Sequence, residues 1–154
     1  MNWEDGRPLG GRPGDGFIHS LLSKERQAGG HPAMNVRLAA CIAYAGALFG
    51  ASAVPGEALP DLTRIGTAVH AAAYAGFGAL LFRWRATPPA RTAPAFLWAV
   101  VLASLYGLAD EWHQVFVPGR TPDPMDWVAD TAGAALGALV LVAWRLARAA
   151  GRVT

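Results

Sequence analysis

A chain of 154 residues has the length of one domain. Hydrophobic residues make up 53% of it and charged ones only 16%, a balance that excludes an ordinary soluble domain. A net charge of +2 and a single cysteine, Cys41, further exclude an intrachain disulfide, a multi-cysteine zinc centre and a strongly basic nucleic-acid surface.

Residues 1–33 hold seven glycines and three prolines among scattered charges, with no apolar period. That composition predicts a disordered arm. It lacks the apolar core of a signal peptide. Composition changes abruptly at Met34, which makes Met34 a candidate initiator. Mass spectrometry of the native protein tests this, since any peptide from residues 1–33 excludes it.

Four apolar runs follow: Leu38–Val54, Ile65–Phe82, Ala93–Ala109 and Trp127–Trp144. Each is about 17–18 residues, the short end of what crosses ~30 Å of hydrocarbon as a helix. A soluble bundle would show polar residues on its outer face at every turn, and these runs are apolar all round. The expected fold class is all-α, an integral membrane four-helix bundle with a disordered N-terminal arm. Helices are expected at about 36–54, 65–82, 94–115 and 124–145.

Pro55-Gly56 breaks the first helix. Asp61 is placed to cap the second, and Arg83-Trp84-Arg85 ends it as an interfacial anchor. Thr87-Pro88-Pro89 stiffens the middle loop, and Pro94 suits the first turn of the third helix. Pro118-Gly119 reads as the centre of a type II turn. Asp123-Pro124 opens the fourth helix, with aspartate at the N-cap and proline at N1. In that helix Ala129, Gly133 and Gly137, spaced by four, let another backbone approach closely. Packing within the bundle is favoured over a homodimer seam, and a homo-oligomer stays open.

The basic residues follow the membrane rather than a soluble face. Eleven of the thirteen lie in the amino-terminal segment, the loop between helices two and three, and the carboxy-terminal tail. Only Arg64 and Arg120 lie on the other side, with Glu57, Asp61, Asp110, Glu111, Asp123, Asp126 and Asp130. The positive-inside rule predicts a multi-pass protein of the cytoplasmic membrane with both termini in the cytoplasm. No nucleic-acid partner is expected.

Helical spacing sorts the polar residues onto faces. Tyr106, Asp110, His113 and Gln114 form one stripe on helix three. Asp126 and Asp130 share a face of helix four, and His70 and Tyr74 share one of helix two. All three groups fall at the outer end, where they predict a polar pocket closed below by glycine-mediated packing. Duller roles compete. Asp123 suits a simple cap, and Asp126 suits a capping box. Arg120 is placed to pair with Glu111 or Asp126 and hold the loop. Glu111 points about 100° from Asp110 and so toward the loop.

The segment Asp110-Glu111-Trp112-His113-Gln114-Val115-Phe116-Val117-Pro118-Gly119-Arg120, with Asp126 and Asp130-Thr131-Ala132-Gly133, resembles the VanZ-like family of small bacterial membrane proteins. His70 with Tyr74 resembles the family's histidine and tyrosine on helix two. The likeness covers about residues 35–145, with the transmembrane domain at 34–148. Two places depart from the family pattern: Thr67 stands where a lysine is usual, and Asp130 where an asparagine is usual. The resemblance implies a cell-envelope role linked to glycopeptide antibiotic resistance.

The leading hypothesis is a membrane protein that binds or modulates an envelope lipid, glycolipid or lipid-linked cell-wall precursor, or a glycopeptide. Its expected ligand-binding residues are His70, Tyr74, Asp110, Glu111, His113, Gln114, Arg120, Asp126 and Asp130. The alternative is an intramembrane enzyme using histidine–aspartate acid–base or metal chemistry on a lipid-linked substrate. The two histidines lie on different helices with no HExxH spacing, so neither a metal nor a cofactor is expected. A third class is structural, with the polar groups locking the bundle.

Overall fold

The structure is a computed structural model that describes residues 32–58, 65–86 and 92–152. Four helices run in chain order: α1 (Pro32–Ser52), α2 (Gly66–Arg85), α3 (Thr92–Gln114) and α4 (Pro124–Ala150). A short 3-10 turn, Gly56–Ala58, follows α1. No strand occurs among the described residues, so the fold is all-α. Residues 1–31, Asp61, Arg64 and Thr87-Pro88-Pro89, on which the sequence raised expectations, lie outside the described residues.

Helix ends follow local chemistry. Ile65 occupies the N-cap position of α2, with no side-chain cap bond. α3 ends at Gln114, one residue earlier than expected, in a run of tighter i→i+3 bonds. Val115, Phe116 and Val117 donate to Trp112, His113 and Gln114 at 3.2, 3.0 and 3.1 Å. The type II turn at Pro118-Gly119 forms as expected: Gly119 has φ +70° and Arg120 N–H donates to Val117 O at 3.1 Å. Asp123 caps α4 through Met125 N–H at 2.8 Å, with Pro124 at the first helical position. α2 and α4 run further toward their carboxy ends than the apolar runs suggested, to Arg85 and Ala150.

The bundle turns small residues inward and large ones outward. α3 buries Ala95, Ala99, Ala103 and Gly107, spaced by four, while Leu97, Trp98, Val101, Leu105 and Leu108 stay exposed. α4 buries Gly133, Ala134 and Ala138 while Leu136, Leu139, Val140 and Trp144 stay exposed. A soluble bundle would invert this arrangement; in lipid the large side chains already sit in apolar solvent, and small ones let helices close. α3 and α4 are long and apolar enough to cross a membrane, and Val36–Ser52 is a shorter apolar helix. Four equally apolar spans were expected. α2 differs because it is rich in alanine and glycine, carries His70 and ends in arginines. Its neighbours cover it, with Tyr74, Phe77, Gly78, Leu81 and Phe82 buried.

The closest backbone approach is between α2 and α4. A Cβ on Gly133 or Gly137 would collide with the carbonyl oxygen of Ala71 or Ala75. α1 makes no such approach and is held by side chains. Tyr44 donates to Ala73 O at 2.9 Å, Tyr106 donates to Ala45 O at 2.7 Å, and Tyr44 stacks on Phe77. Between α3 and α4, Ser104 receives Thr131 Oγ1–H at 2.9 Å and Trp127 Nε1–H at 3.2 Å. At the other end Arg145 donates to Ala86 O at 2.7 Å, and Arg148 lies over Trp144.

Gly137→Leu is expected to destabilise the bundle by about 1–3 kcal/mol or to prevent its assembly, because a branched side chain must force two backbones apart. Leu136→Ala, on the outward face, should cost much less. Thermal unfolding of the two variants in the same detergent measures the difference.

Candidate functional site

Because α1 stands off from the α2–α4 pair, space remains at the end where α1 and α3 finish and α2 and α4 begin. A cavity of about 660 Å³ opens there. Leu48, Ala51 and Ser52 of α1 form one wall, and Val69, His70, Ala73 and Tyr74 of α2 another. Asp110 and Gln114 of α3, Asp126 of α4 and the loop residues Gly119, Arg120 and Thr121 complete it.

His70 is the centre of the polar groups. Its Nδ1 lies 3.1 Å from Oδ1 of Asp130, which is 0% exposed. Its Nε2 lies 3.7 Å from Oδ2 of Asp126. Asp130 sits two turns into α4, too deep to cap, and a carboxylate at that depth is tolerated when it has a partner. Asp126 does not form the capping box expected of it. The backbone N–H of Asp123 donates instead to Oε2 of Glu111, at 2.7 Å. Glu111 thus reaches across from α3 to the start of α4, toward the loop side as the helical angle predicted. Its Oε1 accepts from Gln114 at 3.4 Å.

Arg120 corrects another expectation. It pairs with neither Glu111 nor Asp126 but donates to Val54 O and Ala51 O, both at 3.3 Å. Those carbonyls lie at and just beyond the end of α1, where Ala51 O also accepts from Val54 N–H at 3.3 Å, and a guanidinium fork suits such acceptors. Gly56 N–H donates to Pro118 O at 3.0 Å and ties the same two segments again.

His113 turns toward α1 although it stays within electrostatic reach of Asp110. Its ring packs on Phe49 of α1, centroids 4.5 Å apart, and it does not line the cavity. Its seven-residue offset from Tyr106 follows Tyr106 toward α1 rather than Asp110 toward α2. Of the nine expected residues, His70, Tyr74, Asp110, Gln114, Arg120 and Asp126 line the cavity. Glu111 and Asp130 stand behind His70 and Asp126. Sequence reasoning missed Ser52, Glu57 and Thr121, which also line it. Ser52 is a lone polar residue at the end of an apolar run, a signal that could have found it.

Five carboxylate or hydroxyl groups at or near the cavity have a buried oxygen with no protein partner among the described residues: Ser52 Oγ, Tyr74 Oη, Asp110 Oδ1, Asp126 Oδ1 and Asp130 Oδ2. Chemically, the wall is anionic with one imidazole. It can orient a proton acceptor, accept hydrogen bonds from hydroxyl-rich groups, or ligate a cation.

Asp130→Leu is expected to cost about 1–3 kcal/mol by leaving His70 without its partner. Asp130→Asn, which keeps an acceptor oxygen, should cost less. Arg120→Ala should lower stability by about 1–2 kcal/mol by releasing the α1 carbonyls. Chemical unfolding in detergent reads all three.

A model of the VanZ/LLP1 family matches residues 26–145 of the chain. The comparisons with curated proteins and with solved structures returned no match. The matched span holds the first three helices, α4 as far as Arg145, the cavity and every residue around His70, and the protein belongs to the VanZ/LLP1 family.

Proposed function

We propose that this membrane protein lies in the bacterial cytoplasmic membrane with both termini in the cytoplasm, and holds the polar headgroup of an envelope lipid, glycolipid or lipid-linked cell-wall precursor in its cavity. One observation carries the proposal: a cavity of about 660 Å³ whose wall joins apolar Leu48, Val69 and Ala73 to His70, Asp110, Gln114 and Asp126. Its volume falls within the range of roughly 300–1,000 Å³ that holds small molecules. An amphipathic lining suits a ligand with a polar head and an apolar stem. The carboxylates accept hydrogen bonds from sugar hydroxyls, and Gln114 and His70 add donors. The orientation rests on charge, since Arg37, Arg83, Arg85, Arg145 and Arg148 all lie at the opposite end. The cavity then faces the side where glycopeptides and lipid-linked precursors occur, in keeping with the family's association with the envelope and antibiotic resistance.

A second reading has its own support. Asp130 holds His70 through Nδ1 and leaves Nε2 beside Asp126 at the cavity wall. That is how a carboxylate orients a general base. Turnover of a lipid-linked substrate, lost in His70→Ala while binding persists, would establish an enzyme.

Binding to the protein in nanodiscs tests the main proposal. Saturable binding of a polyprenyl phosphate or lipid-linked precursor is expected, weakened about tenfold or more by His70→Ala and by Asp110→Asn, a loss of about 1.4 kcal/mol. Failure to bind phospholipids, polyprenyl phosphates and cell-wall precursors alike would refute it.

A further inference from the structure

We propose that His70, Glu111 and Asp126 bind one divalent metal ion at the cavity wall, with Asp130 as the positioning residue for His70. The site stands on its own geometry and does not depend on what fills the rest of the cavity.

One ligand atom from each of the three residues lies within 4.8 Å of the others. Around an ion with bonds of about 2.1 Å, two ligand atoms lie at most about 4.2 Å apart. The His70 Nε2–Asp126 Oδ2 pair, at 3.7 Å, already meets that limit. Three ligand atoms on one ion average at most about 3.6 Å apart, so the wider pairs close by up to about one ångström through side-chain rotation. The three residues come from three helices, so the ion would join α2, α3 and α4.

The surrounding bonds are those that metal sites use. A ligating histidine donates its second ring N–H to a carboxylate, which fixes the tautomer and the ring plane. Asp130 stands at 3.1 Å from Nδ1 and leaves Nε2 for the ion. Glu111 is fixed by Asp123 N–H at 2.7 Å, with oxygen lone pairs remaining for a metal.

A separate observation also points to a ligand. Tyr74 and Asp110 line the same cavity and are 2% and 6% exposed; Tyr74 Oη has no hydrogen-bond partner among the described residues, and Asp110 has only the neighbouring Ser52 and Gln114 beside it. Both lie within electrostatic reach of the cluster: Tyr74 of Asp130 and Glu111, and Asp110 of His70. Water molecules on a bound ion would supply donors to such oxygens. Charge agrees. Asp110, Glu111, Asp126 and Asp130 gather around one imidazole, while Arg120, the described arginine on this cavity, donates to α1. Carboxylates in a medium of low dielectric are held ionised by a counter-charge, and a divalent ion supplies two units at one point.

One imidazole nitrogen with carboxylate oxygens suits manganese or zinc better than calcium or magnesium, which favour all-oxygen shells. The wall position leaves coordination sites open to the cavity. There the ion could take a phosphate or carboxylate oxygen, which would let an anionic group enter an otherwise anionic pocket.

The test uses full-length protein in nanodiscs, stripped with chelator and dialysed against Mn²⁺ or Zn²⁺. Uptake is read by elemental analysis and by the loss of the free Mn²⁺ resonance signal. One equivalent per chain is expected for at least one of the two ions. His70→Ala, Glu111→Gln and Asp126→Asn should each weaken binding at least tenfold, and Asp130→Leu by a smaller factor. Glu57→Gln, which removes a carboxylate from the cavity lining but belongs neither to the ligand set nor to its supports, should bind as the parent does. Melting temperature with and without metal guards against misfolded variants: the parent should gain stability on loading, and folded variants should not. No stoichiometric uptake by the parent overturns the site. So does undiminished binding in folded His70→Ala and Asp126→Asn, or an equal loss in Glu57→Gln.

Discussion

The contact between α2 and α4 sets the rest of the structure. Gly133 and Gly137 leave no side chain between their helix and the carbonyls of Ala71 and Ala75. Two backbones can then approach as closely as dispersion allows, which is the main attraction between helices when lipid is as apolar as the side chains. The approach brings His70 of α2 beside Asp126 and Asp130 of α4. Had either glycine carried a side chain, the 3.1 Å contact between His70 and Asp130 would open along with the helices.

α1 shows the opposite case. It has no comparable close contact and is positioned by polar side chains reaching its exposed backbone carbonyls. Tyr106 reaches Ala45, and Arg120 reaches Ala51 and Val54. Long side chains act as spacers as well as tethers, and the gap they keep is the cavity. The same arginine that the sequence offered as a ligand-binding residue therefore defines the shape of the pocket by holding its far wall.

The polar groups divide into those that bridge helices and those left unpaired at the cavity. Asp130, Glu111 and His70 each have partners, and together they connect three helices at one end of the bundle. Such bonds offset much of the cost of desolvating charge. Tyr74, Asp110 and Asp126 retain unsatisfied oxygens at or near the cavity. A bundle selected only for stability would fill these positions with apolar side chains, so the uncompensated oxygens are better explained by something that enters the cavity. The opposite end carries Arg85 over Trp84 and Trp98, and Arg148 over Trp144, contacts suited to an interface rather than to a site.

Much of this was legible in the sequence because it depends on local rules. Apolar runs of helical length, the Asp123-Pro124 start, the Pro118-Gly119 turn and the small residues of α4 are each determined by a few neighbouring residues. Helical periodicity likewise put Asp126 with Asp130 and His70 with Tyr74 on common faces, and the basic residues at one end. What periodicity could not decide was which neighbour a face meets. His113 shares a stripe with Asp110, yet a stripe spans enough of the helix circumference for one edge to meet Phe49 on α1 while the other meets α2. Arg120 has a side chain long enough to choose among partners within several ångströms, and the carbonyls at the end of α1 lay within its reach. The pairing of His70 with Asp130, 60 residues apart, needed the separation and register of two helices. Those are set by backbone contact in three dimensions, and no spacing along the chain encodes them.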